Sequence, residues 1–436
     1  MRWNNVLLPQ SAQRPQRTPE PVMQYLKNLR FLCVSTGWNK QSGHKDHRAN
    51  PQPFLNNKYS LQSLYAEIDR GNISSHRENL HLSTKKRFSL WSLCALWLTV
   101  FTLSACGREP IYQSQSYVFG TLVDISIYGE EATRAAELAA VIQQDFQRLH
   151  HKLHAWNEIS DLSRLNRAFA AGETISIDPE LTKLVEHAQQ FSAQSDGLFN
   201  PAIGRLIGHW GFQRDIFKPV SIDLPVIEKL VAANPQMQDI VIQHTDTGAL
   251  VSSRNPAVKL DFGGYAKGYA LDRAAAYLKA QGAHNALINI GGNVIALGKH
   301  GKRNWHVGIQ HPRKPGAIAS LDLEDGWAIG TSGDYQRYFE LEGKRYCHVL
   351  DPRSGYPAQH AQAVTVLLPP GELNGTLSDV ASKPIFISDI GQRSEMAKKL
   401  GIDNFMVIDD AGNIAVSPAM QQRLKWKTDA KIRILP

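Results

Sequence analysis

Val258-Lys-Leu-Asp-Phe-Gly-Gly-Tyr-Ala-Lys-Gly-Tyr-Ala-Leu271 changes its hydrophobic period part-way along, and that change governs the reading of the fold. Val258 to Asp261 reads as a strand and Gly263-Gly264 as a turn. From Lys267 onward Leu271, Ala274, Ala275 and Leu278 recur at helical spacing. A strand that passes through paired glycines into a helix brings free backbone N–H groups to one point, where an anion can sit. Lys267 in the first helical turn opposes the helix dipole unless an anion lies there. The same residues also fit a plain glycine-rich turn with no ligand. The spacing is not GxGxxG, so a Rossmann dinucleotide site has little support.

Upstream, Tyr117–Tyr128 alternates like a strand, and 131–153 reads as a helix with Ala135, Leu138, Ala139, Ile142, Phe146 and Leu149 on one stripe. A second helix is expected over 179–195, ending before Asp196-Gly197, and a short strand over Ile240–Ile242. Downstream, the pattern predicts strands at 286–290, 304–310, 318–323, 336–340, 345–350 and 363–368, helices at 373–383 and 391–400, and strands at 404–408 and 413–416. Strands and helices mix without βαβ alternation, which predicts an α+β fold of mixed sheets with flanking helices.

The 436 residues carry a net charge of +8, but the excess is not spread evenly. Residues 1–106 hold 14 Lys/Arg against 5 Asp/Glu; residues 107–436 hold 34 against 35. A near-neutral body does not suit a nucleic-acid partner. Lys85-Lys86-Arg87, the apolar stretch Phe88–Ala105 and then Leu103-Ser-Ala-Cys106 follow the order of a lipoprotein signal peptide whose cysteine is acylated. A transmembrane anchor is the alternative for that stretch. Either reading places residues 107–436 outside the cytoplasm, on the periplasmic side. The expected organisation is a leader over 1–84, disordered or not translated because the start codon lies near Lys85, a signal peptide over 85–105, and one domain over 106–436. Beyond Cys106 only Cys347 remains, so no disulfide framework is expected there.

Two further clusters carry chemistry. Thr331-Ser-Gly-Asp-Tyr-Gln-Arg-Tyr338 and Tyr346-Cys-His-Val-Leu-Asp-Pro-Arg-Ser-Gly-Tyr-Pro357 concentrate hydroxyls, carboxylates, arginines and His348, a set suited to phosphate contact and acid–base work; a hairpin rim with surface charges fits them as well. Ser378-Asp-Val-Ala-Ser-Lys383 puts Asp379 and Lys383 four apart on one helix face, as a surface ion pair would.

Taken in order, Phe119–Asp124, Ser160–Asn166, Asp196–Gly204, Leu260–Tyr269, Asn289–Asn293 and the two runs around Gly333 and His348 resemble the FAD:protein FMN transferase family of ApbE-type lipoproteins, over nearly all of the chain after Cys106. The resemblance implies a T-fold-like architecture and an enzyme that moves the FMN half of FAD to a Thr or Ser hydroxyl of an acceptor protein, releasing AMP. It implies FAD contacts from Phe119, Trp156, Leu198, Phe199, Asn200, Asp261, Lys267, Ser332, Asp334 and His348. Mg²⁺ would be held by the backbone of Ala266 and by Asp379, with Asp379 and His348 as catalytic residues and His348 as base. The implied partner is a flavoprotein subunit of a membrane redox complex, met by a protein anchored through lipid on Cys106.

The match departs in places. Phe119 stands for a usual Met, and Asn200 and Asn293 for usual Asp residues. Lys383 stands where the family's metal helix has a ligating Thr, and a protonated lysine offers three donors and no acceptor. Either Ser382 or water completes a metal shell while Lys383 turns away, or the ammonium takes the metal's place. The second case leaves open a FAD-binding protein or FAD pyrophosphatase with weakened or no transferase activity.

Overall fold

The computed structural model describes residues 111–214 and 216–435. The expected leader, the signal segment and Cys106 lie outside these residues. No helix among the described residues is long and apolar enough to cross a membrane.

Ile111–Val118 (β1) and Thr121–Tyr128 (β2) form an antiparallel hairpin, where the alternation over Tyr117–Tyr128 predicts one strand. The break is at Phe119-Gly120, with φ of 56° and 70°. Positive φ at both central residues is the two-residue turn whose twist suits paired strands. Phenylalanine is a poor choice for that backbone, so the residue types did not announce the turn.

Ala132–Lys152 (α1) buries the anticipated stripe and is capped by Glu131. Asp161–Ala171 (α2) was not anticipated, although Ser160 caps it and Gly172 closes it in the left-handed conformation. Ile175–Ile177 (β3), Pro179–Gln194 (α3), Gly204–His209 (α4) and Leu224–Ala232 (α5) follow. Ile240–Thr245 (β4) and Gly248–Ser253 (β5) then join β3 in a small sheet of order β3-β5-β4.

The segment Val258–Asp261 is not a strand of a sheet. It makes a single parallel bridge, Lys259 to Ile203. Lys259 and Asp261 bond to the main chain of residues 201–204, and Leu260 between them is held by a side chain: Asn166 donates to its carbonyl at 2.9 Å and accepts its N–H at 2.6 Å. The helix that follows is Ala266–Ala280 (α6).

The second half supplies Ala286–Ile290 (β6), Asn293–Leu297 (β7), Trp305–Gln310 (β8), Ala317–Leu323 (β9), Ala328–Gly333 (β10), Tyr338–Leu341 (β11), Lys344–Cys347 (β12) and Ala361–Leu368 (β13). Asn374–Ile387 (α7), Arg393–Lys399 (α8), Asn404–Asp409 (β14), Ile414–Val416 (β15), Pro418–Gln421 (α9), Lys425–Trp426 (β16) and Ile432–Ile434 (β17) complete it. A nine-stranded sheet runs β1-β2-β6-β7-β10-β13-β14-β15-β17 and is antiparallel until its last, parallel pair. Strands β16-β9-β8 form a separate sheet, and β11-β12 is a hairpin. The fold is α+β, with mixed sheets and flanking helices.

Burial explains the layers. One face of β2 and β6 packs Ile125, Ile127 and Ile288 against Phe146 of α1 and Leu271 and Leu278 of α6. Strand β13 is buried throughout and serves two cores: Val364 and Val366 meet Phe386 of α7, while Ala363 and Leu367 face the β8-β9 sheet. That is the period-2 alternation of a strand covered on both sides. Thr331-Ser-Gly therefore lies in β10, between β7 and β13, rather than on a loop rim.

Candidate functional site

Helices α6 and α7 approach through glycine. A Cβ on Gly268 would lie 2.3 Å from the Gly375 carbonyl oxygen and 2.7 Å from Thr376 Cα, both backbone. This contact sets the first turn of α6 against Asp379, whose Oδ2 accepts the Gly268 N–H at 3.2 Å. Tyr265 at the N-cap supplies no side-chain cap, so the carboxylate of a neighbouring helix serves an otherwise orphaned donor.

Asp379 is buried and surrounded by cations. Lys267 Nζ lies 3.2 and 3.3 Å from its two carboxylate oxygens. Lys383 Nζ donates to Oδ1 at 2.7 Å and to the Asp379 main-chain carbonyl at 2.6 Å. Burial pushes the Asp379 carboxyl up, but the Lys267 and Lys383 ammoniums and their hydrogen bonds prevail and hold it well below the usual carboxylate range. Lys383 is pulled down to about 8, first by burial and then by Lys267, against the opposing pull of Asp379. The pair is not the surface pair that spacing alone suggests: the Asp379 side chain is 2% exposed and that of Lys383 14%.

Ser332 of β10 joins the cluster through Ser382. The two hydroxyls are 2.7 Å apart, and Ser382 Oγ donates to the Asp379 carbonyl at 2.9 Å. His348, just past β12, is partly exposed, and its Nδ1 lies 3.2 Å from the Arg337 carbonyl oxygen. Burial, then the Arg337, Lys383 and Lys267 charges, pull its pKa down to about 3. The imidazole is therefore neutral at ordinary pH and stands in the field of three cations.

A second group forms around Asp261. Trp156 Nε1 donates to Asp261 Oδ2 at 2.9 Å, and Asp261 Oδ1 accepts the Gly263 N–H at 2.8 Å. The Lys259 ammonium lies 3.5 Å above the Trp156 ring. The Pro201 carbonyl accepts the Asp261 N–H at 2.9 Å, which brings Leu198-Phe199-Asn200 alongside. Leu198 and Phe199 are buried, and Asn200 is tied to Pro235 and Ala202. The turn from Asp261 to Gly264 links the two groups, since Lys267 Nζ also donates to the Gly263 carbonyl at 3.3 Å. Ala266, the first residue of α6, sits between them.

Phe119 occupies the β1–β2 turn, its ring 6.1 Å from Phe146 and 5.8 Å, edge-on, from His150. Beside it a Cβ on Gly120 would lie 3.9 Å from Arg337 Nη1. Asp334 does not join either group: Arg313 clamps both its oxygens at 2.6 Å. Arg337 and Asn166 contribute more than sequence reasoning assigned them. Arg337 meets His348, 11 positions away, through its main-chain carbonyl and lowers its pKa through its charge, and neither spacing nor period signals that pairing. Asn166 is a buried polar residue on α2, a pattern indistinguishable from a helix cap or a kink until its Leu260 partner is in place.

The family model of the ApbE family matches residues 119–406. This chain belongs to the ApbE family. It is 39% identical over 316 residues to a protein of Rhodobacter capsulatus named FAD:protein FMN transferase, covering 72% of this chain and 59% of that protein. A Klebsiella pneumoniae protein of the same name is 32% identical over 263 residues, covering 59% of this chain and 77% of its own length. The chain thus spans about three fifths of the Rhodobacter protein. Among solved structures, an ApbE protein of Thermotoga maritima aligns with TM-score 0.64 at 30% identity, covering 72% of this chain and 99% of that one. A Pseudomonas stutzeri flavinyl transferase ApbE aligns at 0.62 and 26%, covering 73% and 98%.

The ApbE resemblance implies Mg²⁺ on Asp379, and the residues present do not fit it. Both carboxylate oxygens of Asp379 already accept from N–H donors, and its main-chain carbonyl accepts from Lys383 and Ser382. Two ammoniums beside one carboxylate leave no anionic shell for a hard divalent cation. Among the described residues no group of three His, Cys, Asp or Glu is placed to hold a metal ion.

Proposed function

We propose that the chain is an FAD:protein FMN transferase, carrying the FMN half of FAD to a Thr or Ser hydroxyl of an acceptor protein and releasing AMP. The observation that carries this reading is the Lys267–Asp379–Lys383 cluster at the start of α6, with neutral His348 in its field. Phosphoryl transfer asks for positioning and charge neutralisation more than for covalent help. Lys267 and Lys383 supply positive charge for the pyrophosphate. His348, neutral before substrate enters, takes the proton of the incoming hydroxyl as its oxygen attacks the phosphorus on the FMN side; the bond from that phosphorus to the bridging oxygen breaks and AMP departs with the electron pair. A base near pKa 3 is weak, but the pyrophosphate offsets the cations that depress it, so binding of FAD raises the basicity of His348 when it is needed.

Asp261 and the Leu198–Asn200 segment would lie near the adenosine half, and Trp156, which donates to Asp261, and Phe119 would also contact FAD. The N–H donors around Asp379 do not suit the magnesium dependence that the resemblance implies. Export and a lipid on Cys106 complete the reading, supported by the sequence pattern over Lys85–Cys106; an acceptor subunit of a membrane redox complex is what the family resemblance implies.

Incubation of the chain with FAD and a threonine-containing acceptor domain tests the activity. Acceptor that gains the mass of FMN, with AMP released in equal amount, is the expected result. Free FMN and AMP without labelled acceptor would make the protein a pyrophosphatase, and bound, unchanged FAD would make it a binding protein.

A further inference from the structure

We infer that the Lys383 ammonium does in this site the work of a divalent cation, so that FAD is bound and its pyrophosphate neutralised without a metal ion. The identity of the ligand rests on the transferase reading; the placement of the charge does not.

Lys383 is held in position by the fold. Its ammonium donates to two oxygens of Asp379, at 2.6 and 2.7 Å, one helical turn back along α7. Its methylenes lie across the Gly263-Gly264 turn: a Cβ on Gly264 would stand 2.7 Å from Lys383 Cε and 3.0 Å from Cδ. Glycine at 264 is therefore the condition for the lysine to reach the mouth of α6. An ammonium has three N–H groups, and Asp379 occupies two, leaving one for a phosphoryl oxygen. Lys267 reaches the same carboxylate from the other helix at 3.2 Å. The carboxylate and the two ammoniums sum to one positive charge, and α6 adds its positive end. A divalent ion entering here would have to displace both ammoniums from Asp379 or sit beside them, and like charges at such distances in a shielded site repel strongly.

FAD binding, read by quenching of flavin fluorescence, tests this without reference to transfer. The chain is titrated with FAD in excess chelator and again in millimolar Mg²⁺, with the acceptor assay run on the same samples. The native chain is expected to bind with an affinity that changes less than about threefold between the two conditions. Lys383→Thr takes one of the two ammoniums from Asp379, clears its main-chain carbonyl of that donor and adds an oxygen donor, leaving Lys267 in place; in chelator it is expected to bind at least tenfold more weakly, and to recover at least in part with Mg²⁺. Lys383→Met keeps the length of the side chain without its charge and is expected to bind at least tenfold more weakly in chelator, with a cooperative thermal transition showing that it folds. Native affinity that falls tenfold on chelation, or a folded Lys383→Met that binds FAD like the native chain, would overturn the inference. Metal-free binding with no transfer under any condition sinks the transferase reading and leaves this one standing; no FAD binding at all sinks both.

Discussion

Asp272 on α6 caps α7 from outside. Its Oδ1 accepts the Gly375 N–H at 2.7 Å, and its Oδ2 accepts the Thr376 N–H at 2.7 Å and the Thr376 hydroxyl at 2.6 Å. Leu373, at the N-cap of α7, offers no side chain for the task. One turn earlier on α6, Gly268 holds Asp379, one turn later on α7. The two helices are thus gripped twice in opposite sense, and the capping residue fixes the height at which Asp379 meets Lys267.

Asp272→Ala should therefore cost about 2 kcal/mol or more, since buried donors lose their acceptor. Urea denaturation would measure it, and FAD affinity should fall with it because Asp379 loses its register. The carboxyl also titrates. Burial raises its pKa from 3.8 to about 6, against the pull of the Thr376 and Gly375 donors. Between those two values the folded chain holds the proton that the unfolded chain has lost. The carboxyl's contribution to stability is thus fully present below about pH 4 and declines as pH rises to about 6. Asp272→Asn should flatten that part of the stability profile. An unchanged slope would show the carboxyl to be ionised throughout.

Gly268→Ala tests the close approach itself. The added methyl would lie 2.3 Å from the Gly375 carbonyl oxygen, on backbone that cannot swing aside. Overpacking of this kind costs about 1–3 kcal/mol, and separating the helices would draw Gly268 away from Asp379. We expect a lower thermal midpoint together with weakened FAD binding. Gly391→Ala, with nothing within 4 Å of its Cβ, should leave both unchanged.

Much of this arrangement was legible beforehand, and the residues that were not share a cause. The stripes on α1 and α6 announce those helices because a buried helical face imposes its own period, and Asp261-Phe-Gly-Gly announces a turn into a helix. Val258–Asp261 misleads because its alternating residues are buried outside any sheet: residues 201–204 meet it through a single bridge on one side, and on the other Asn166 supplies Leu260 with the hydrogen bonds a neighbouring strand would have given. Thr331-Ser-Gly misleads in the opposite sense, small polar residues standing in a central strand because Thr331 pairs with Thr365 at 2.9 Å and Ser332 with Ser382 at 2.7 Å. At the site, Lys267, Asp379, His348 and Ser332 come together, while Asp334 is spent on Arg313. That partner comes from 21 residues away across a chain reversal, and no local pattern encodes such a choice.

His348 should not show an ordinary histidine titration. With its pKa drawn down to about 3 by burial and by Arg337, Lys383 and Lys267, kcat/KM for transfer should have no inflection near pH 6.5, because that ratio reports the free enzyme. The same depression means that the unfolded chain binds the extra proton between about 3 and 6.5. Stability from this group is therefore complete above pH 6.5 and is lost as pH falls. His348→Asn should lower the transfer rate by about 10²–10⁴ while FAD affinity stays within a few-fold. An inflection at pH 6.5 that vanishes in His348→Asn would show that the surrounding cations do not reach the imidazole.

Phe119 holds a conformation that costs energy. A bulky residue at φ 56° in a two-residue turn is disfavoured, whereas asparagine before glycine favours that turn. Its ring packs on Phe146 and the edge of His150, at the margin of the core. Phe119→Asn should relieve about 1 kcal/mol of backbone strain and lose a comparable amount of packing, leaving stability within about 1 kcal/mol of native. FAD affinity, by contrast, should fall at least tenfold if the ring is kept for the flavin. A variant that is destabilised by several kcal/mol with its FAD binding intact would mean that Phe119 serves the core, and that the strain is tolerated for packing rather than for the ligand.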